Sequence, residues 1–210
     1  GIAVCAVAAG RLPERERVWV WVGFVAAMSA AAAKVVIVYY IYRVGDFIGY
    51  VRWGGWIADW IRSDPARWLM PYLMHAVDLA RPPVPIEPPG SGPTAFMFVF
   101  AALFQVVFGT VPFGMSLFVA VFGFAGKTAL YHVLRDTMPP AYRPRVAAAV
   151  YLIPSFTFWS NGFSKEGIAV GFLGWALYGY YQLSHAGRPT RGLALLLIGS
   201  AGVTLTKPYV

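Results

Sequence analysis

Residues 18–42 read VWVWVGFVAAMSAAAAKVVIVYYIY. This run of about 25 residues carries one charge, Lys34, and is long enough for a helix to cross the ~30 Å hydrocarbon core of a bilayer. Phe113–Val133, about 21 residues, meets the same test. Residues 167–184 and 193–206 are further apolar runs. Residues 146–160 form a shorter one with Pro154 inside it, which a membrane helix tolerates when it is packed against others. Thr94–Gly109 is apolar over only about 16 residues, short for a span. No repeat period and no soluble domain separates these runs. The expected fold is all-α: a polytopic transmembrane helical bundle forming one domain over residues 1–210, with spans near 18–42, 113–133, 146–160, 167–184 and 193–206.

Composition points the same way. Of the 210 residues, 59% are hydrophobic and 12% charged, about half the charged fraction of soluble domains. Aromatic residues make up 17%, and the eight tryptophans sit mostly near the ends of apolar runs or between them. That is where an amphipathic ring meets the membrane–water interface. Seventeen Lys and Arg against nine Asp and Glu give a net charge of +8. Many of the basic residues cluster in short loops between apolar runs, so topology and anionic lipid head groups account for them, and nucleic acid is not an expected partner. The one cysteine, Cys5, excludes an internal disulfide and any site built from several cysteines. Residues 1–10 are apolar and precede the charged Arg11–Arg17, the reverse of a signal peptide. Gly1 is not Met and Val210 closely follows an apolar run, so a longer membrane protein is expected.

Charge in the loops sets direction. Arg11, Arg15 and Arg17 precede the first span. Arg135, Arg143 and Arg145 form a second basic loop, and Arg188 with Arg191 a third. Residues 160–167 hold only Lys165, beside Glu166. With the basic loops on the cytoplasmic side, the large loop 44–93 and the turn 160–167 both face the outer side. An odd number of crossings is then needed between Pro93 and Arg135, which makes Thr94–Gly109 the expected re-entrant or juxtamembrane helix.

Within the outer loop, from Tyr50 onward, Trp53, Trp56, Ile57, Trp60 and Ile61 fall on one helical face, with Arg52, Asp59 and Arg62 on the other. This pattern predicts an amphipathic helix lying in the membrane interface, although Gly54-Gly55 weakens it. Asp64-Pro65 follows, and the proline-rich Arg81–Pro93 is expected as an extended loop.

Asp46 sits just past the first span, with Tyr50 one helical turn later. A carboxylate there can act as a general base on an acceptor hydroxyl or amine. The plainer reading is a helix N-cap. Lys165 can hold a phosphate as a point charge, and Glu166 can orient a substrate or hold a metal ion. The plainer reading of both is an ordinary capped helix start. Lys34 lies about nine residues inside the first span, roughly 13 Å at helical rise. That depth favours the bundle interior or a wet cavity over snorkelling to the surface. Arg81 and Glu87 can reach a ligand phosphate or metal, or simply be solvated. His75 with Asp78 is the one histidine pairing, and a zinc site is not expected. Gly126-Lys127-Thr128 ends like a phosphate-binding loop but has Val121 where that pattern needs glycine. Gly167 and Gly171 form a G-x-x-x-G pair, a signal of close helix packing.

The order of these features carries a resemblance. A span precedes Asp46-x-x-x-Tyr50 and an interfacial helix. A proline-rich loop and a short apolar run ending in Phe108-Gly109 follow. Then come a span leading to Leu134-Arg135, a proline-bearing span, a polar outer turn, and Leu205-Thr206-Lys207-Pro208. From Val18 onward this resembles the N-terminal half of the GT-C membrane glycosyltransferases, such as protein O-mannosyltransferases and the enzymes that transfer aminoarabinose to lipid A. The resemblance implies a transferase that moves a sugar from a polyprenyl-phosphate donor at the outer face of a bacterial inner membrane, in contact with membrane lipid. It implies Asp46 as the catalytic or acceptor-orienting carboxylate and Glu166 as the second acid, which assists or binds a divalent metal ion in some members. Tyr50 and Lys165 are the substrate-binding positions beside them. Arg81 would hold the donor phosphate, because the first outer loop lacks a lysine. Phe47 stands where several relatives carry another acid. O-antigen and exopolysaccharide polymerases look similar in their early Gly-Asp-x-x-x-Tyr turn. A non-catalytic membrane subunit or transporter, with Lys34 along a pathway, is the alternative outside enzymes.

Overall fold

A computed structural model of the chain describes residues 1–10, 12–79 and 92–207, and every regular element among them is helical. Arg11 and the segment 80–91, with Arg81, Glu87 and most of the expected extended loop, lie outside the described residues. A short α1 (Ile2–Gly10) precedes α2 (Glu14–Lys34), which runs on into π-helical turns over Val35–Tyr42. This 29-residue rod ends at Arg43, which takes a left-handed conformation with φ 55°. The rod and α6 (Pro112–Thr137) are the two helices, among the described residues, long and apolar enough to cross a membrane. Between them come α3 (Asp46–Ser63), α4 (Pro65–Ala76) and the apolar α5 (Pro93–Phe108). After α6 come α7 (Arg143–Leu152), α8 (Pro154–Trp159), α9 (Lys165–Ser184) and α10 (Pro189–Thr206).

Proline punctuates this chain by starting helices. Six of them, α4, α5, α6, α7, α8 and α10, carry a proline in the first two positions. The missing N–H there would have had no helical partner anyway. Pro154 does the same, and this corrects the expected span over 146–160. The helix stops at Leu152, Ile153 turns extended (φ −55°, ψ 118°), and α8 starts afresh at Pro154. The ring of Pro154 disfavours the helical conformation at the residue before it.

Ion pairs and hydrogen bonds between distant helix ends fix the directions of α2, α6, α9 and α10. Glu16 at the start of α2 accepts from Tyr131 Oη at 2.7 Å and Arg135 Nε at 2.6 Å near the end of α6, so these helices run antiparallel. Tyr181 near the end of α9 donates to Asp136 at 3.2 Å, so α9 runs alongside α6 in the same direction. Lys207, just past α10, meets Glu166 at the start of α9 at 2.9 Å. The α7–α8 pair carries the chain back between α6 and α9. One end of the bundle therefore gathers Arg15, Arg17, Arg135, Arg143, Arg145, Arg188 and Arg191. The other, here the upper end, gathers the π-helical end of the rod and the starts of α6 and α9. Close approaches of glycine hold the helices together. A Cβ added at Gly174 would lie 2.0 Å from the carbonyl oxygen of Gly126, so α6 and α9 touch backbone to backbone. Gly171, of the G-x-x-x-G pair, sits in the same contact.

The stretch expected as an outer loop is helical over 46–76 and packs into the core. α3 starts at Asp46, four residues before the expected helix. Its buried stripe is Phe47, Tyr50, Val51, Gly54, Ile57, Ala58 and Ile61. The tryptophans flank that stripe instead of forming it: Trp56 is 47% and Trp60 39% exposed. Gly54 explains the glycine pair, since α5 passes so close that a Cβ there would lie 2.5 Å from Ala101 Cβ. α5 keeps both ends at the upper end: Thr94 meets Lys165, and Phe108 joins α6 through three residues.

Candidate functional site

The upper end of the bundle contains a cleft of about 370 Å³. Its lining brings together Lys34, Asp46, Tyr50, Lys165 and Glu166, residues up to 132 positions apart, with Trp159, Phe163 and Ser164 between them. Gly45 (φ 107°) makes the turn out of the rod and occupies the N-cap of α3, with no side-chain cap. Asp46 is thus a first-turn residue and not the cap, which corrects the plainer of its two readings. Its carboxylate is exposed, has no cation within ion-pair range among the described residues, and accepts from Tyr50 Oη at a long 3.4 Å. Tyr50 follows one turn later, its ring held edge-on by Phe98 at 5.7 Å and Phe163 at 6.0 Å.

The opposite wall is the turn into α9. Lys34 is 8% exposed and reaches up from the last turn of α2. Its ammonium donates to Asn161 O at 3.3 Å and Ser164 Oγ at 3.2 Å. It also lies 5.6 Å and 5.4 Å from the ring centres of Phe158 and Trp159, a cation–π arrangement. Lys34 therefore faces the bundle interior. Gly162 (φ 85°) lets the turn cross the lysine stem, and a Cβ there would lie 3.0 Å from Lys34 Cδ. Ser164 also caps α9 by accepting from Gly167 N at 3.3 Å. Lys165 donates to Thr94 Oγ1 of α5 at 2.8 Å.

Glu166 pairs with Lys207 at 2.9 Å. Burial pushes its carboxyl up, but the Lys207 ammonium, the backbone and the Lys34 charge outweigh that and hold it below the usual glutamate range. Three ammonium groups, Lys34, Lys165 and Lys207, thus stand around two carboxylates, and Asp46 is the carboxylate left open to a ligand. Such a site can take a proton at Asp46 and stabilise an anion at the lysines. Among the described residues no three His, Cys, Asp or Glu side chains come together, and Glu166 is engaged by Lys207.

Of the residues expected at the site, Asp46, Tyr50, Lys165 and Glu166 share the cleft, with Lys34 beside them; Arg81 lies outside the described residues. His75 is 4% exposed on α4, away from the cleft. The engagement of Glu166 by Lys207 has no sequence signal across that separation. Lys127, of the imperfect phosphate-loop pattern, is 1% exposed, lies 4.6 Å from the centre of the Phe156 ring, and makes no hydrogen bond at Nζ among the described residues. No family model, no curated protein and no solved structure matches this chain.

Proposed function

We propose that the chain belongs to a polytopic membrane glycosyltransferase of GT-C type, moving a sugar from a polyprenyl-phosphate donor to an acceptor at the outer membrane face. One observation carries this reading: Asp46, exposed and with no ion-pair partner among the described residues, shares a cleft with two lysines, one at the end of α2 and one at the start of α9. In the reaction the acceptor hydroxyl or amine attacks the anomeric carbon, and Asp46 takes its proton. The bond from that carbon to the phosphate oxygen breaks. The electron pair leaves on the lipid phosphate, whose charge Lys34 and Lys165 stabilise. Tyr50 orients the Asp46 carboxylate.

The arrangement of the helices supports a membrane setting. In this reading the rod and α6, the two helices long and apolar enough to cross by themselves among the described residues, are followed by the α7–α8 pair as a broken span and by residues 167–184 of α9 and α10. With that broken span included, the successive crossings alternate in direction. The arginine-rich end then faces the cytoplasm and the cleft faces outward. α5, with both ends at the upper end, stays on that face. A second reading rests on Lys34 and Lys127, two buried cations within the long helices, which suit a transporter or subunit with a polar pathway. Turnover separates the two. The protein reconstituted in liposomes with a radiolabelled polyprenyl-phosphate sugar and a panel of acceptors should release polyprenyl phosphate and label an acceptor. Binding of the donor without release, or transmembrane flux without transfer, would favour the second reading.

A further inference from the structure

A second and larger cleft, about 570 Å³, lies on the other flank of α3. Ile48, Arg52, Gly55 and Asp59 recur along one face of α3 and form one wall. Tyr39, Tyr40 and Arg43, at the end of the rod, form the opposite wall. Its charge is not internally balanced. Asp59, the one carboxylate in the lining, is held by Arg62 at 3.0 Å. Among the described residues Arg43 engages only Nε, donating to Tyr40 O at 3.2 Å. Arg52 has no hydrogen bond or ion pair among the described residues. Two guanidinium groups therefore present free donors to one space, and paired guanidinium forks match the geometry of a phosphate. Beside them stand two half-exposed rings. Tyr40 is fixed by stacking on Phe113 at 6.1 Å, and Trp56 by an edge contact with Trp53 at 4.7 Å.

Gly55 adds an independent observation. Glycine costs a helix stability, and close packing demands it at Gly54. At Gly55 an added Cβ would meet only Gln105 Oε1, at 3.3 Å. Helix packing does not account for a missing side chain there, whereas an open cleft wall does.

We propose that this cleft binds a phosphate ester, with its oxygens on Arg43 and Arg52 and its body against Tyr40 and Trp56. The assignment is independent of sugar transfer. The ester can come from an anionic lipid head group or from a soluble molecule. Calorimetric titration of the full protein in neutral detergent with dihexanoyl-phosphatidylglycerol, glycerol 3-phosphate and uncharged dioctanoylglycerol distinguishes these. Phosphatidylglycerol should bind at least tenfold more tightly than dioctanoylglycerol. Equal binding of glycerol 3-phosphate would assign the soluble source, and its failure to bind the lipid source. The double variant Arg43→Asn, Arg52→Gln should weaken phosphatidylglycerol by about 10- to 100-fold. Asn tolerates the left-handed conformation at position 43 and Gln keeps the helix. Gly55→Leu, which retains both arginines, should weaken it by filling the cleft, and it keeps the test decisive should the double variant misfold. Dioctanoylglycerol binding as tightly as phosphatidylglycerol, or phosphatidylglycerol binding unchanged in a folded double variant or in Gly55→Leu, would overturn the proposal.

Discussion

Replacing each glycine of the Gly54-Gly55 pair by alanine should give unequal results, because the two face different surroundings. In an unobstructed helix either change gains about 0.5–1 kcal/mol from backbone entropy. At Gly54 the new methyl would lie 2.5 Å from Ala101 Cβ and 3.1 Å from the Ala101 carbonyl carbon. Backbone cannot give way as a flexible side chain does, so α3 and α5 must separate, at about 1–3 kcal/mol. The net expectation for Gly54→Ala is a loss of up to about 2.5 kcal/mol, centred near about 1 kcal/mol, the overpacking cost less the helix gain. At Gly55 the nearest atom is Gln105 Oε1 at 3.3 Å, the end of a side chain tethered by Thr110 Oγ1 at 2.6 Å. A shift of a few tenths of an ångström there offsets part of the gain, leaving Gly55→Ala within about 0.5 kcal/mol of the parent. Thermal unfolding of both variants in the same detergent, followed by circular dichroism, reads the difference. Gly54→Ala as stable as Gly55→Ala would refute the close packing of α3 on α5 and return α3 to a helix lying loosely in the head-group region.

Three further outcomes follow from the same contacts. Glu16→Gln leaves Arg135 and Tyr131 without their shared 5%-exposed carboxylate, and should cost about 1.5–3 kcal/mol in unfolding experiments. A cost under 0.5 kcal/mol would mean that these helix ends do not meet. Because Glu166 is held below its ordinary range, its pairing stabilises the native state fully above about pH 4.3 and is lost as pH falls through the lowered native value. Glu166→Gln should therefore flatten the acid limb of stability between pH 5 and pH 3 by less than about 1 kcal/mol, since the pair is partly solvated, and an unchanged limb would argue against the Lys207 contact. Single cysteines beside Asp46 and beside Lys165, in a Cys5→Ala background, should react with an impermeant maleimide from the same, outer side of the membrane. Labelling from opposite sides would separate the two walls of the cleft.

The long helices were legible because about 20 apolar residues in a row leave few other structures, and because proline marks a helix start as clearly as a helix stop. The residues of the upper cleft were legible one by one, through the i,i+4 pair Asp46–Tyr50 and the capped start Ser164-Lys165-Glu166. Their convergence was inferred only from loop charge. Other features gave way to tertiary context. The tryptophans drew the amphipathic stripe of α3 toward themselves, while Tyr50, Val51, Gly54 and Ile57 took the buried side against α5. Pro154 was expected inside one continuous helix, and it ends α7 and starts α8. Lys127 carries the same signal as Lys34, a lone cation in an apolar helix, overlaid by a near-match to a phosphate loop that Val121 breaks. Arg52 was legible only as part of the polar face of an amphipathic helix and Arg43 carried no signal, since sequence does not show that Asp59 is already held by Arg62.

The central claim is that Asp46 is the proton acceptor of a sugar transfer, and Asp46→Asn tests it most directly. Gly45 and not Asp46 occupies the N-cap, so the fold loses only a first-turn charge, worth about 0.3–1 kcal/mol. The amide still accepts from Tyr50. Transfer from a polyprenyl-phosphate sugar, measured per folded molecule at equal membrane insertion, should fall about 100- to 10,000-fold, because an amide takes up no proton at neutral pH. A well-folded Asp46→Asn protein that transfers sugar at near the parent rate would contradict the account.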